Sequence, residues 1–159
     1  MALTEAEKYE RRLQREIETL EHKKAIKSYA HVLDLCAATF QKLRVIESAD
    51  KDGIVVCVTC GKIMMHSDKN AQGGHFIPRH HTAALFDPVN VNVQCGYVCN
   101  GIGGGKPTEY ETWLAQTYGP YEVERLKALK KSRKYEIEEL AAMRVEWLRK
   151  IRIEQKRIN

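Results

Sequence analysis

The sequence predicts an α+β protein in which a small zinc-bound core lies between long α-helices at the N- and C-terminal ends. Two observations lead to this prediction. Four cysteines fall in two pairs near the middle of the 159 residues: Cys57 and Cys60, then Cys95 and Cys99. On either side of them the chain is rich in strong helix formers, with apolar residues at helical spacing. We therefore divide it into an N-terminal helical arm (1–50), a core (51–120) and a basic C-terminal helical region (121–159).

The N-terminal arm is predicted to be helical because residues 3–47 contain neither Gly nor Pro. Thr4 followed by Glu7 fits a capping box at its start. The apolar spacing suits one long helix or two helices joined near 22–27. The first half is polar on all sides, so we expect it to project from the body or to pair with another chain. Cys36 falls on the apolar face of the second half and is predicted to be a core residue.

The sequence of the middle of the chain is typical of short β-strands. Strands are predicted at 54–56, 63–65, 75–77 and 89–95, where β-branched residues or alternating apolar residues occur. The segment KNAQGG (69–74) is predicted to be a loop. A glycine-rich turn then leads into a helix that begins near Pro107, since Pro is favoured in the first helical turn. Gly119 and Pro120 end that helix, and the chain from 121 onward is predicted to be helical again.

The two cysteine pairs predict a structural zinc site. Cys57-x-x-Cys60 and Cys95-x-x-x-Cys99 can each chelate one ion, and together they supply the four soft ligands of a closed tetrahedral site. We find no membrane span and no signal leader, so the expected location is the cytoplasm, where metal ligation is favoured over disulfides. A closed all-cysteine site has no vacant position for water. The zinc is therefore expected to hold other residues in place rather than to react.

The charge of the chain is uneven. Lys and Arg exceed Asp and Glu by five overall, yet residues 1–50 carry equal numbers of each sign. The excess lies in the middle and C-terminal parts, with a cluster at Lys127, Lys130, Lys131, Arg133 and Lys134. Such a cluster suits a polyanion such as DNA, and a solvated helix face is the alternative. On the predicted helix the last four would form a collar that contacts the DNA backbone without reading sequence.

Two polar residues near the cysteines are candidates for catalysis. His75 follows two glycines, and Asn100 comes directly after the last cysteine. If the zinc site brings them face to face, they provide parts of a metal-assisted phosphodiester hydrolase. The imidazole would take a proton from the attacking water. The Asn100 oxygen would bind Mg²⁺ or Mn²⁺, which stabilises negative charge on the leaving 3′ oxygen.

Other residues near this pair have two interpretations each. Arg79 could clamp a phosphate through its planar guanidinium group. His80 and His81 could contact phosphate or bind a second metal, or they could be ordinary exposed histidines. Lys106 follows three glycines whose amides could approach a phosphate, and a flexible turn is the alternative. Two aromatic residues of the next helix are expected to be core residues rather than platforms for base stacking: Tyr110 and Trp113.

The segments CVTCGK, GGHF, NVQC, CN and GGGKPTEYETWLAQTYG together resemble the phage NinG/Rap recombination nucleases. These belong to the wider group of HNH (ββα-metal) nucleases with a treble-clef zinc site, and recombination endonuclease VII is a more distant relative. The resemblance covers roughly residues 54–130. It implies an endonuclease that cleaves branched DNA such as Holliday junctions, often as a homodimer, which we expect to form through the helical arms. A zinc-dependent recombination accessory protein that binds DNA without catalysis is the alternative.

Carried over by position, the resemblance implies that His75 is the general base and Asn100 a metal ligand. It also implies that Asn90 helps to shape the loop of the motif. The sequence departs from the family pattern in two ways. Relatives carry an aspartate shortly before the histidine as a further metal ligand, whereas this chain has Gln72, Gly73 and Gly74. The spacing of the second cysteine pair is one residue longer than usual. Candidates to replace the aspartate are Asp68 and Asp87.

Overall fold

A computed structural model of the chain describes residues 3–26 and 28–158. It is a mixed α+β structure with small sheets. The helices are α1 (Glu5–Ile26), α2 (Tyr29–Glu47), α3 (Pro107–Tyr118), α4 (Pro120–Ala128) and α5 (Ile137–Ile158). The strands are β1 (Ile54–Val56), β2 (Ile63–Met65), β3 (Ala71–His75) and β4 (Val91–Cys95). Two short turns complete it: a 3₁₀ turn at Thr82–Ala84 and a π-helical turn at Gly96–Ile102, called the π turn below.

The N-terminal segment forms two helices rather than one. The predicted capping box is present, because the Glu7 amide donates to Thr4 Oγ1 at 3.2 Å and the Thr4 amide donates to Glu7 Oε2 at 2.8 Å. A second cap starts α2, where the His31 amide donates to Ser28 Oγ at 3.2 Å. The end of α1 agrees with the predicted junction near 22–27, whose last residue, Lys27, lies outside the described residues.

The expectation that the first helix projects from the body is wrong. Helix α1 packs on α2 and α5, where Leu20 is completely buried and Leu13 and Ile17 border the same core. A largely buried ion pair between Glu16 of α1 and Arg144 of α5 joins the two helices. The apolar stripe of α1 is narrow, but the stripe on α5 complements it. The packing of α1 on α5 could not be predicted from the local sequence, because these helices lie more than a hundred residues apart in the chain.

Two antiparallel hairpins lie beside these helices. β1 pairs with β2, and both strands agree with the prediction. β3 pairs with β4, with His75 opposite Val91, so the predicted loop at 69–74 is mostly strand and the strand predicted at 75–77 is displaced towards the N-terminus. The glycines mark close packing instead of a loop. A Cβ at Gly73 would lie 2.9 Å from Gln41 Cα, and one at Gly74 would lie 2.0 Å from Gln94 Oε1.

The C-terminal part is helical only in two sections. Helix α3 begins at Pro107 and ends before Gly119, as predicted, but residues 129–136 between α4 and α5 are not helical. That connection is tied to other elements: the Tyr135 amide donates to Tyr29 Oη at 2.9 Å, and Thr82 Oγ1 donates to the Arg133 carbonyl at 2.7 Å. The predicted helical collar of cations is therefore wrong. No helix in the described ranges is long and apolar enough to cross a membrane.

Candidate functional site

The four cysteines of the two pairs converge on one point. Cys57 and Cys60 lie on the turn between β1 and β2, Cys95 ends β4, and Cys99 lies in the π turn. Their Sγ atoms all lie within 4.8 Å of one another, and those of Cys60 and Cys95 are 3.7 Å apart. A tetrahedral zinc ion with Zn–S bonds of about 2.3 Å requires S–S separations of about 3.8 Å. The cluster therefore fits a zinc ion.

Local geometry explains both the long spacing and the chemistry of this cluster. The π turn closes i→i+5 hydrogen bonds, so it accommodates the extra residue between Cys95 and Cys99.

Burial raises the pKa of the Cys57 thiol, but hydrogen bonds from the Thr59 hydroxyl and from nearby backbone amides outweigh it and lower the pKa to about 6. Burial raises the pKa of Cys99 to about 12. A bound cation is needed to hold all four sulfurs as thiolates together.

Beside the cluster, an open cavity of about 510 Å³ lies between the end of β3, the π turn and helices α3 and α4. His75 and Asn100 both line it, so the structure brings the two candidate residues to one site. The remaining lining residues are Gln41, Phe76, Ile77, Pro78, Arg79, Gly104, Gly105, Pro107, Glu111, Lys127 and Lys130. The cavity therefore carries three cationic side chains and one carboxylate.

The hydrogen bonding of His75 determines which ring nitrogen can accept a proton. Its Nε2 lies 3.1 Å from the Leu85 carbonyl oxygen, which can only accept, so Nε2 carries the hydrogen and Nδ1 has the free lone pair. Burial lowers the pKa of His75 to about 4, the Leu85 bond opposes this, and the positive charge of Arg79 adds to the lowering. The imidazole is neutral at neutral pH and can accept a proton at Nδ1.

Asn100 presents its oxygen without a competing donor. Its Nδ2 donates to Gln72 Oε1 at 2.9 Å, which orients the amide, and no group of the described residues donates to its Oδ1. The side chain is half-buried at the edge of the cavity. An amide oxygen is a hard ligand of the kind that Mg²⁺ and Mn²⁺ accept. Asn100 can therefore serve as one protein ligand of such an ion.

Asn90 is completely buried and holds the loop that follows β3. Its Oδ1 accepts from the Ile77 amide at 2.6 Å, and its Nδ2 donates to the carbonyls of Ile77 at 3.1 Å and Ala84 at 2.9 Å. These bonds fix both ends of the loop that carries Arg79, His80 and His81. The rings of His80 and His81 lie 4.0 Å apart, and neither lines the cavity.

The predicted basic cluster is divided by the structure. Lys130 lines the cavity, and so does Lys127, but the latter is bonded to Glu111 at 2.8 Å and to Glu124 at 3.0 Å. Three members lie away from the cavity, on the connection 129–136: Lys131, Arg133 and Lys134. Of these, Arg133 pairs with Glu139. Arg79 lines the cavity, and its ion pair with Asp34 at 2.9 Å is exposed to solvent. Exposed pairs are weak, so a phosphate can replace Asp34.

The glycine-rich turn contributes shape rather than hydrogen-bond donors. Gly104 and Gly105 line the cavity, but their amides donate to the carbonyls of Gly101 at 3.0 Å and Cys99 at 2.8 Å. The idea that these amides are free to bind a phosphate is therefore wrong. Lys106 adopts a left-handed backbone conformation before α3, and its side chain does not line the cavity.

The carboxylate in the cavity is one that the sequence analysis missed. Neither suggested aspartate lines it: Asp68 caps the turn at Asn70, and Asp87 is bound by Arg125 at 2.6 and 3.1 Å. Glu111 lines it instead. The available signal was helical periodicity, since Glu111 lies four residues after Pro107 and so shares its face of α3.

Comparison with known families gives one assignment. The family model described as "Bacteriophage Lambda NinG protein" matches residues 2–157. No curated protein and no solved structure matched the chain. Because the matched segment extends over nearly the whole sequence, including both cysteine pairs and the cavity, the chain belongs to the bacteriophage lambda NinG family.

Proposed function

We propose that this protein is a metal-dependent endonuclease that cleaves branched DNA, such as Holliday junctions, with an HNH-type site supported by zinc. The observation that carries the proposal is that His75, with a free Nδ1, and Asn100, with a free Oδ1, line one open cationic cavity. The resemblance of the sequence to recombination nucleases supports the choice of substrate and of reaction.

The cavity suits a phosphodiester because its cations can hold the backbone around the reacting group. Arg79 and Lys130 provide positive charge on the lining, and Arg79 can exchange its exposed partner Asp34 for a phosphate. These contacts recognise phosphate rather than base sequence. A substrate recognised by its shape, such as a DNA junction, requires no more from them.

His75 performs the proton transfer. Water attacks phosphorus, its proton passes to His75 Nδ1, and the bond from phosphorus to the 3′ oxygen breaks. The Leu85 carbonyl holds the other ring nitrogen, so the imidazole stays oriented through the step. Asn100 would hold a divalent ion, which would supply positive charge at the leaving oxygen. The oxygen takes its proton from solvent, and the products carry a 5′-phosphate and a 3′-hydroxyl group.

Junction cleavage also requires cuts on two opposing strands, which a homodimer with two-fold symmetry provides. Helix α1 packs within its own chain, so a dimer through the helical arms would use the outward faces of the helices. We retain the homodimer through these arms as part of the proposal. Sedimentation of the protein with and without a four-way junction measures its stoichiometry.

One observation favours a second candidate, a zinc-dependent accessory protein that binds DNA without cutting it. The backbone positions just before His75 carry no carboxylate, and the carboxylate of Glu111 is occupied by Lys127. A divalent ion would therefore have to compete with a lysine for its second protein ligand. Binding of junctions without nicking in Mg²⁺ or Mn²⁺ is the result that this candidate predicts.

The deciding experiment compares His75→Ala with His80→Ala on a labelled four-way junction in Mg²⁺. His80 is the matched control, because it is a nearby histidine that does not line the cavity. We expect the His75 variant to lose cleavage by roughly 10²–10⁴-fold while it still binds the junction. Zinc content and thermal denaturation confirm that both variants fold. Undiminished cleavage by His75→Ala contradicts the mechanism, and no cleavage by the unmodified protein supports the accessory function.

A further inference from the structure

The π turn exposes apolar side chains next to the cavity. Three of its side chains point into solvent, with exposed fractions of 72% for Tyr97, 52% for Val98 and 77% for Ile102. We call these three residues the apolar patch. Asn100 lies within the same turn, three residues after Tyr97 and two before Ile102. Clustered exposed apolar residues commonly mark an interaction surface.

The turn that carries the apolar patch is held in place from both sides. The Gly96 and Tyr97 amides donate to the carbonyl and the side-chain oxygen of Asn70, at 2.7 and 2.9 Å. Cys99 belongs to the four-cysteine cluster. These contacts fix the backbone of the turn, so the turn cannot fold the patch into its own chain without breaking them.

The surroundings indicate which kind of molecule covers the patch. Asn100 of the same turn lines the cavity, which also carries the cationic side chains of Arg79 and Lys130. The occupant must therefore present negative charge beside apolar surface. A second copy of the chain would need contacts well beyond these three residues, because a stable interface buries about 800 Å² per partner.

Unpaired bases meet both requirements. Bases within a duplex are stacked and hide their faces, whereas bases at a branch point can unstack and expose apolar faces beside anionic phosphates. Exposed aromatic and aliphatic side chains bind such faces by stacking and by insertion between bases. We infer that Tyr97 and Ile102 contact unstacked bases at the branch point, which selects branched DNA over linear duplex. This inference rests on the proposed function, since it places the branch point beside the cavity.

Tyr110 and Trp113, the aromatic residues considered for base stacking in the sequence analysis, are less suited to this role than Tyr97. Tyr110 is completely buried, and its hydroxyl donates to the Gly74 carbonyl at 2.9 Å. Trp113 is half-buried and packs edge-on against Tyr110 and Tyr118. Tyr97 presents its ring to solvent at the turn that also carries Asn100.

The test is the double variant Tyr97→Ala/Ile102→Ala, with Tyr121→Ala as control. Tyr121 is matched because it is 78% exposed but lies on α4, outside the patch. Binding to a four-way junction and to linear duplex of the same composition is measured without divalent metal, so that cleavage plays no part. A 2-aminopurine base at the branch point reports stacking through its fluorescence.

We expect the double variant to lose roughly tenfold or more of its preference for the junction, the scale of one lost base stack, and to lose the fluorescence change. Its affinity for linear duplex should stay within about twofold of normal, and Tyr121→Ala should behave like the unmodified protein. An unchanged preference in the double variant overturns the inference while leaving the cleavage proposal intact. No junction preference in the unmodified protein overturns both.

Discussion

Replacement of Gly74 by alanine tests the packing immediately before His75. A Cβ at this position would lie 2.0 Å from Gln94 Oε1 and 2.8 Å from its Cδ. Gln94 is fully buried, and its Nε2 donates to the Gly105 carbonyl at 2.7 Å. To reach ordinary van der Waals separation of about 3.5 Å, the Gln94 side chain must move by about 1.5 Å and give up that hydrogen bond.

The expected cost follows from those two effects. Overpacking costs about 1–3 kcal/mol, and the lost buried hydrogen bond adds about 1 kcal/mol. We therefore expect Gly74→Ala to lower the free energy of unfolding by about 2–4 kcal/mol, which corresponds to a melting temperature lower by roughly 10 °C. The backbone at Gly74 does not have a positive φ, so alanine introduces no backbone strain there.

A double-mutant cycle assigns the cost to this contact. In a Gln94→Ala background the obstructing atoms are gone, so adding Gly74→Ala should cost less than about 1 kcal/mol. Denaturant and thermal unfolding of the four proteins, each loaded with zinc, measure the coupling, which we expect to be about 2 kcal/mol. If Gly74→Ala is equally destabilising in both backgrounds, Gln94 does not occupy the space beside Gly74 and the packing argument is refuted.

Three further predictions concern the metal sites and the histidine. Cys60→Ser should lose bound zinc and most of the folding stability. Cys36→Ala, the control, removes a buried sulfur outside the cluster and should retain zinc. Elemental analysis measures the zinc content of both variants. Glu111→Gln should raise the Mg²⁺ concentration needed for cleavage by about tenfold or more, and Glu124→Gln, which removes the other partner of Lys127 outside the cavity, should leave it unchanged. The pKa of His75 is lowered to about 4, so below about pH 6.5 the unfolded chain binds more protons than the folded one. The free energy of unfolding is therefore not reduced by His75 above pH 6.5 and decreases as the pH falls towards 4. Thermal denaturation at pH 7.5 and at pH 5 measures this decrease, which should be smaller in His75→Gln than in the unmodified protein.

The local features of the fold could be predicted from the sequence, and the long-range ones could not. The capping box at Thr4, the strands of the first hairpin and the start of α3 at Pro107 depend on nearby residues, and the structure has them. The packing of α1 on α5 depends on residues more than a hundred positions apart. Gly73 and Gly74 were misread as a loop signal because their neighbours, Gln41 and Gln94, are distant in sequence.

In the candidate site, too, the features that depend on nearby residues could be predicted from the sequence, and those that depend on distant residues could not. The spacing of the cysteines predicted their cluster, because each pair lies within a few residues of chain. The position of His75 and Asn100 on one cavity followed from their sequence neighbours, a glycine pair and the last cysteine. Glu111 was missed because no motif marks it. The cations beyond Ala128 were misplaced because the end of α4 is set by the tertiary contacts of the connection at Thr82 and Tyr135.

The peptide bond between Cys99 and Asn100 joins the cysteine cluster directly to a residue of the cavity lining. His75 is held differently, by the pairing of β3 with β4 and by the loop that Asn90 fixes, and neither support uses a cysteine side chain. Loss of zinc therefore releases the oxygen ligand of the proposed catalytic ion more directly than it releases the base. The apolar patch belongs to the same π turn as Cys99, so its position also depends on zinc. A zinc ion in the cysteine cluster would in this way support both the proposed metal binding at Asn100 and the proposed recognition of branch points.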